Sequence, residues 1–234
     1  MRTCEGLRTV LGGRVLGIGD EGFDAAARPW NLAVEQPVVA VVEVADVEDV
    51  VAVVRHARRV GLTVAAQPTG HGASGAARGA VLLRTGALDE VVVDTDRRVA
   101  RVGAGVSWGK VQEAAAAHGL TALPGSSPVV GVAGYTLGGG LSWFGRRHGW
   151  AADGVTALEV VGADGEWARV SAESDPDLFW ALCGGGGDFA VVTALEFRLY
   201  PAPELYGGRM VWPLERAARV LGAYAEVTAG APRE

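Results

Sequence analysis

A histidine in a glycine-rich loop is the residue of this sequence that is best placed to do chemistry. His71 lies in the run Gln67-Pro-Thr-Gly-His-Gly-Ala-Ser-Gly75, which is small and polar and follows an apolar segment. A neutral imidazole can act as a base or a ligand, and glycines let the backbone approach a bound molecule closely. Taken alone, the loop favours a histidine that only satisfies hydrogen bonds of its own loop.

A second segment, residues 125–149, is rich in Gly, Ser, Tyr, Trp and Phe, and neither a period of 2 nor one of 3.6 persists in it. Long irregular segments inside a compact domain are usually functional. The chain has 35 glycines, and many fall in these two segments. Both are therefore candidate ligand-binding loops.

Three generic motifs fail. A dinucleotide-binding fingerprint at Gly103-Ala-Gly105 lacks its third glycine, because Trp108 holds that position. A P-loop fails because Gly109-Lys110 is followed by Val111. The nucleophile elbow of hydrolases is absent, and Ser126-Ser127 has no evident base partner in sequence.

Metal and disulfide chemistry are also disfavoured. Cys4 and Cys183 are far apart and lack ligand-like spacing. His56, His118 and His148 stand singly and are most simply surface or capping residues. We expect no metal site.

The composition is that of an ordinary globular protein, with 49% hydrophobic and 21% charged residues in 234. A formal net charge of −6 with scattered Lys and Arg argues against nucleic-acid binding. No run approaches the roughly 18 apolar residues of a membrane span, and the start is too interrupted for a secretory signal. We expect a cytoplasmic protein without a membrane partner; the sequence does not indicate its oligomeric state.

A strand, helix, strand unit positions the histidine loop. Residues 38–45 form a predicted buried strand, Asp46 has the chemistry of a helix N-cap, and Gly61 closes the helix. Residues 62–66 form the next strand, so the loop begins where a strand ends, which is a favoured ligand position.

Short strands and few helices follow, which predicts an α+β architecture. The predicted strands span residues 81–84, 91–94, 100–102, 156–162, 167–171 and 190–199, with Asp164-Gly165 at the turn of a hairpin. Helices are predicted at 108–118 after Ser107, and from Ser174-Asp-Pro-Asp. A strand at 207–212 and a helix at about 214–227 resemble the opening of a further domain.

The motifs together resemble the FAD-linked oxidase family of the vanillyl-alcohol oxidase, p-cresol methylhydroxylase and berberine-bridge-enzyme type. The resemblance covers about residues 28–234, with blocks in the family's order. The matching blocks are residues 64–72, 102–108, 123–140, 148–153 and 177–193.

The resemblance implies that FAD is bound and that His71 holds it through the flavin 8α-methyl carbon. Backbone N–H groups of the two loops would then compensate the pyrophosphate charge without lysine. The implied cofactor-binding residues are Gln67, Pro68, Thr69, Gly70, His71, Gly72, Ser74, Gly75, Pro124, Gly125, Ser126, Ser127, Val130, Gly131, Gly134, Tyr135, Asp153, Val191 and Val192.

The sequence departs from the family pattern at several positions. Ser127 stands where many relatives have a cysteine bonded to flavin C6, so we predict a single covalent attachment. Val130 matches the position that controls access of oxygen to the flavin face in the family, and a valine there mildly favours an oxidase over a dehydrogenase. Tyr135 matches a position that carries a polar ring near the ribityl chain in relatives. Asp188 and Ala190 replace an asparagine and a glycine of the family pattern. The resemblance is therefore weaker where it implies that Val191 and Val192 contact the cofactor.

The implied organisation is an FAD-binding domain over residues 1–204, with α+β subdomains at about 28–102 and 103–204, and the start of an incomplete substrate domain over 205–234. The implied reaction removes a hydride from a small alcohol, sugar, amine or secondary metabolite, with reoxidation by O₂. The catalytic base would lie in the substrate domain, which begins near Tyr206. The alternatives are a non-catalytic flavin-binding fragment and an NAD(P)H-linked flavin reductase.

Overall fold

The first β-sheet carries the strand that leads into the histidine loop. The computed structural model describes residues 2–231, and its first sheet has the strand order β1-β2-β4-β3. Its strands are β1 (Arg14–Gly17), β2 (Ala40–Glu43), β3 (Val64–Ala66) and β4 (Val81–Arg84). β4 pairs in parallel with both β2 and β3, whereas β1 pairs antiparallel with β2. β3 is therefore an edge strand, and the chain leaves it directly into the loop.

The helix between β2 and β3, α3 (Val47–Val60), begins and ends as its sequence predicts. The Asp46 carboxylate accepts the Asp49 N–H at 2.9 Å, and Gly61 adopts a φ of 71° that its missing side chain permits. The buried Asp49 carboxylate accepts three further backbone N–H groups, from Gly12, Gly13 and Ala45. These bonds fix the start of α3 to the chain before β1.

The second sheet has the order β5-β6-β10-β8-β9 and is antiparallel throughout. Its strands are β5 (Val91–Asp94), β6 (Val99–Gly103), β8 (Val155–Val161), β9 (Trp167–Val170) and β10 (Val191–Arg198). A subdomain boundary at residue 102 does not match this pairing, because β5 and β6 belong to the second sheet. The sheets divide between residues 84 and 91.

Helices cover the second sheet and complete its core. They are α4 (Trp108–Ala116), α5 (Val132–Leu137) and α7 (Pro176–Gly185), and the short α6 (Gly145–His148) follows α5. The prediction of an irregular segment over 125–149 was therefore partly wrong. Its helices are too short, and too rich in glycine, to show a period. Trp108 is 2% exposed and packs at the centre of this core.

The N-terminal part contains elements that the sequence did not predict. They are α1 (Arg2–Arg8), β1 and α2 (Phe23–Ala27). The expectation that His56 is a surface or capping residue was wrong, because its side chain is buried in α3 beside Gly6 of α1. His118 is exposed, as expected, and the ring of His148 lies against that of Tyr200, with centroids 4.0 Å apart and planes inclined by 32°.

The buried His56 should make the folded protein less stable in mild acid. Burial, and then the charge of Arg59, lower the pKa of His56 below 6.5, and its Nε2 has no partner among the described residues. The unfolded chain therefore binds the proton first, so stability is full above the unfolded pKa and falls as the pH drops. We expect the free energy of unfolding, from urea titrations, to fall between about pH 7.5 and about pH 5.5, and to fall less in His56→Gln.

If the free energy of unfolding depends on pH as steeply in His56→Gln as in the wild type, His56 is not the source of the acid sensitivity. Some slope should remain in the variant, because burial and Arg147 also lower the pKa of His148. His148→Gln is the matched variant for that remainder.

The C-terminal part adds little to either core. β11 (Tyr200–Pro201) pairs with β7 (Leu120–Thr121), and α8 (Ala217–Ala229) buries none of its residues. The predicted strand at 207–212 was wrong, since that segment is exposed and has no regular structure. Among the described residues, no helix has the length and apolarity to cross a membrane, and no cluster of His, Cys, Asp and Glu could hold a metal ion.

Candidate cofactor site

Both predicted loops line one cleft of about 300 Å³. The histidine loop continues from β3, and the second loop leads into α5. Ten of the predicted cofactor residues line the cleft, with Ala66 and Ala73. The ten are Gln67, Pro68, Thr69, Gly70, His71, Gly72, Val130, Gly131, Gly134 and Tyr135.

Backbone bonds and one close contact hold the second loop in place. The Trp108 N–H donates to the Val130 carbonyl at 3.0 Å, and the Val132 N–H donates to the Val106 carbonyl at 2.9 Å. A Cβ on Gly131 would lie 3.1 Å from Cγ of Pro68, so the two loops meet there. The glycine allows the loops to approach each other at the floor of the cleft.

The imidazole of His71 has one occupied nitrogen and one without a partner. Its Nδ1 lies 2.7 Å from Oγ1 of Thr69. Its ring stacks on the indole of Trp30, with centroids 4.2 Å apart and planes 17° apart. Nε2 is buried and has no hydrogen-bond partner in the described part of the chain. A buried polar atom without a partner is costly, which indicates that a ligand belongs there.

The backbone of the histidine loop is open to a ligand. Within residues 2–231, the N–H groups of residues 69–72 donate to no protein acceptor. Gly70 has a φ of 79°, and successive N–H groups around a left-handed residue form an anion-binding concavity. A Cβ on Gly72 or Gly134 would meet no atom within 4 Å. The space beside both glycines is therefore free for a bound group.

Tyr135 forms one wall of the cleft and is itself held rigidly. Its hydroxyl donates to the Leu123 carbonyl at 3.1 Å, and its ring meets Trp108 edge-on with centroids 5.4 Å apart. Burial raises the pKa of Tyr135 to about 12, so the hydroxyl stays protonated at neutral pH. The ring presents a neutral surface to the cleft.

The other predicted cofactor residues do not line this cleft. They are Ser74, Gly75, Pro124, Gly125, Ser126, Ser127, Asp153, Val191 and Val192. Asp153 accepts the Trp150 N–H at 2.8 Å, so its carboxylate has a local structural role. Val192 is 5% exposed within β10. Gly125 instead supports the wall, since a Cβ there would lie 3.0 Å from Cε2 of Tyr135.

Val191 lines a second cleft of about 390 Å³. Val64 lines this second cleft, whereas Ala66 lines the first, so the two clefts lie at the two ends of the short edge strand β3. Arg58 of α3 also lines the second cleft.

A larger groove of about 1010 Å³ lies between α3 and the second sheet. Its charged side chains largely neutralise one another: the Arg101 guanidinium binds Glu159 through two bonds of 2.6 and 2.8 Å and also contacts Glu90. None of the predicted cofactor residues lines it. The predicted chemistry therefore belongs to the smaller cleft.

Two residues at the site were missed by the sequence reasoning. Trp30 covers one face of His71, and Arg84 donates to the carbonyl oxygens of Ala26, Arg28 and Gln67. The only signal in the sequence was a tryptophan after Pro29 that lies outside any periodic element.

Comparisons with known proteins agree with the geometry. Residues 38–171, more than half of the chain, match a protein family described as FAD binding domain. The chain is 35% identical over 225 residues to FAD-dependent monooxygenase FUP4 of Fusarium proliferatum, covering 93% of this chain and 43% of that protein. It is 34% identical over 203 residues to (R)-6-hydroxynicotine oxidase of Paenarthrobacter nicotinovorans, covering 86% and 44%.

Solved structures give the same result. A glucooligosaccharide oxidase of Acremonium strictum superposes with a TM-score of 0.85 at 30% identity, over 100% of this chain and 50% of that one. A further structure of that enzyme, described as having a 6-S-cysteinyl, 8α-N1-histidyl FAD, gives 0.79 at 31% identity over 87% and 43%.

The chain thus spans about half the length of the relatives that it matches, and the predicted family resemblance and α+β fold are confirmed. By the match over residues 38–171 and the identities of its relatives, the chain belongs to the FAD-binding domain family of FAD-linked oxidases.

Proposed function

We propose that this chain is the FAD-binding portion of an FAD-linked oxidase and that His71 is its single covalent attachment point, through the flavin 8α-methyl group. The observation that carries the proposal is the buried Nε2 of His71, which has no protein partner in the described chain and belongs to a side chain lining the cleft between the two loops. An attached or closely packed flavin would fill that position.

The sizes of the two clefts support FAD in an extended conformation. The first cleft, of about 300 Å³, lies at the lower end of the usual range for ligand pockets of about 300–1,000 Å³, so we assign to it the ring system and not the whole cofactor. The isoalloxazine ring would lie beside His71, and the adenosine end would lie near Val191 in the second cleft. The cofactor would then follow β3, whose edge position leaves one side free of strand pairing.

The charge of the pyrophosphate would be balanced by backbone. Neither Lys nor Arg lines the histidine cleft, among the described residues. The free N–H groups of residues 69–72 supply the donors instead, and the dipoles of such groups favour an anion. Ser126 and Ser127 remain proposed hydroxyl contacts at the rim.

When bound, FAD would accept a hydride from the substrate and pass the electrons to O₂. The chain's own residues would bind and orient it: Gly134 and Gly72 admit the ring, and Tyr135 and Val130 pack beside it. Attachment would replace the imidazole N–H hydrogen of His71 and one hydrogen of the 8α-methyl group by the new C–N bond, and O₂ would take up these two hydrogens with their electrons as H₂O₂.

The substrate is proposed to be a small alcohol, sugar, amine or secondary metabolite, in keeping with relatives named for hydroxynicotine and glucooligosaccharides. The catalytic base is proposed to lie outside the FAD-binding portion. Ser127 lacks the thiol needed for a 6-S-cysteinyl bond, so only the histidyl bond is proposed.

A cleft-filling variant tests where the cofactor binds. Gly134 lies in α5, and a Cβ added there would meet no atom within 4 Å, so Gly134→Leu should fold but fill the cleft. We expect its noncovalent FAD affinity, from quenching of flavin fluorescence, to fall at least about tenfold, a change of about 1.4 kcal/mol. The melting temperature of the apoprotein should not fall, because leucine favours a helix more than glycine does.

Gly222→Leu is the matched control, because Gly222 lies in α8 and also has open space around it. Equal FAD affinity for wild type and Gly134→Leu would contradict the proposed cleft. Tight FAD binding without any covalent bond would instead favour the alternative of an NAD(P)H-linked reductase.

A further inference from the structure

Trp30 is placed to control the orientation of His71. The stack between the two rings joins residues 41 positions apart and covers one face of the imidazole. Trp30 is itself 63% exposed, so its position does not follow from burial in a core. The contacts of the surrounding chain must therefore explain why the indole lies there.

The segment of residues 26–36, which we name the arm, is tied to the histidine loop by backbone bonds. The Trp30 N–H donates to the Thr69 carbonyl at 3.0 Å, and the Asn31 N–H donates to the Gly70 carbonyl at 3.4 Å. In the loop, the two acceptors directly precede His71, and in the arm one of the two donors is Trp30 itself. They fix the distance between the two backbones at the point where the rings stack.

Side chains anchor the arm on its other side. The partly buried Arg84 guanidinium donates to the carbonyls of Ala26 at 2.9 Å, Arg28 at 2.7 Å and Gln67 at 3.3 Å. The Gln67 amide donates to the Gln36 amide oxygen at 2.6 Å. Charge-assisted bonds such as those of Arg84 are stronger than neutral ones. Both the arm and the loop are therefore attached to the end of β4.

The arm also packs closely against the loop. A Cβ on Gly70 would lie 2.9 Å from Cα and from Cβ of Pro29, which leaves no room for a side chain. The arm and the loop thus form one packed unit, which carries the exposed indole of Trp30.

We propose that Trp30 is a positioning residue for His71: the stacked indole holds the imidazole plane for bond formation with the flavin and so sets the rate of covalent attachment. This inference rests on the proposed attachment of FAD to His71. The contact with Thr69 restrains the position of Nδ1, and the stack on Trp30 restrains the plane of the ring. Bond formation depends steeply on such orientation, because small displacements of reacting groups slow a reaction strongly.

The test measures attachment and binding separately in Trp30→Ala. We expect noncovalent FAD affinity to stay within about threefold of wild type, and the rate of covalent incorporation to fall about five- to tenfold, the effect of losing one aromatic stack. Trp30→Phe should restore most of the rate, because a phenyl ring can also stack. Trp180→Ala, which removes a 79% exposed indole from α7, should have no effect.

A Trp30→Ala protein that incorporates FAD at the wild-type rate would overturn the proposal. So would equal losses of affinity and incorporation rate, since they would assign Trp30 to cofactor binding and not to positioning. Failure of Trp30→Phe to recover more rate than Trp30→Ala would overturn it as well.

A flavin-free measurement separates this proposal from the proposed function. Diethyl pyrocarbonate modifies accessible imidazoles, and the modification of His71 can be followed by mass on the tryptic peptide of residues 60–78. We expect His71 of the apoprotein to react several-fold faster in Trp30→Ala than in wild type. If the wild type attaches no FAD, the proposed function fails, and an unchanged His71 reactivity would then show that Trp30 does not position the ring.

Discussion

The His71→Ala variant is expected to lose covalently bound flavin completely while it keeps noncovalent binding. The alanine removes the imidazole, whose Nε2 is the atom without a protein partner in the described structure, but leaves the free N–H groups of the loop and the open glycines of the cleft. Denaturing gel fluorescence and intact mass should show flavin on the wild type alone. Native gel filtration should show yellow protein in both.

His118→Ala is the control, because His118 is exposed in the turn that follows α4 and does not line the cleft. Retention of covalent flavin by His71→Ala would show that another side chain is the attachment point. Loss of noncovalent binding as well would show that the imidazole contributes mainly to cofactor affinity.

The Gly140→Ala variant is expected to lose on the order of 3 kcal/mol of stability, the sum of backbone strain and overpacking. Gly140 has a φ of 76°, which L-residues rarely adopt. Its added Cβ would lie 2.6 Å from Cε1 of Tyr135 and 2.7 Å from Cβ of Ala151. Urea titration of the apoprotein measures the loss, and the displaced Tyr135 should also weaken FAD binding.

Gly79→Ala separates the two contributions. Gly79 has a φ of 72°, but its Cβ would meet no atom within 4 Å, so it carries the backbone strain without the overpacking. We expect it to cost about 1–2 kcal/mol. Equal losses in the two variants would contradict close packing between Gly140 and the Tyr135 ring.

Local sequence patterns predicted the elements whose signals are local. Strands β4 and β5 have the predicted bounds, because runs of β-branched residues and leucines end at turn residues. Asp46 and Gly61 defined α3 by capping chemistry. The division between the sheets was not predictable in this way, because the pairing of β6 with β10 joins residues 91 to 99 positions apart.

The site was predicted in part for the same reason. Both loops have a glycine-rich composition that can be recognised in the sequence, and ten of their predicted residues line one cleft. Trp30 and Arg84 were missed because their roles depend on contacts made only after the arm folds onto the loop. Asp153 was included by resemblance, yet its carboxylate accepts the N–H of Trp150.

If this chain holds FAD through His71 alone, peptide mapping of the FAD-reconstituted wild-type chain should find flavin at that one residue. Trypsin separates His71, on the peptide of residues 60–78, from Ser127, on the peptide of residues 111–146. We expect the mass of one FAD on the first peptide, assigned by fragmentation to His71, and an unmodified second peptide. Both peptides unmodified, with intact protein at its apoprotein mass, would contradict the claim.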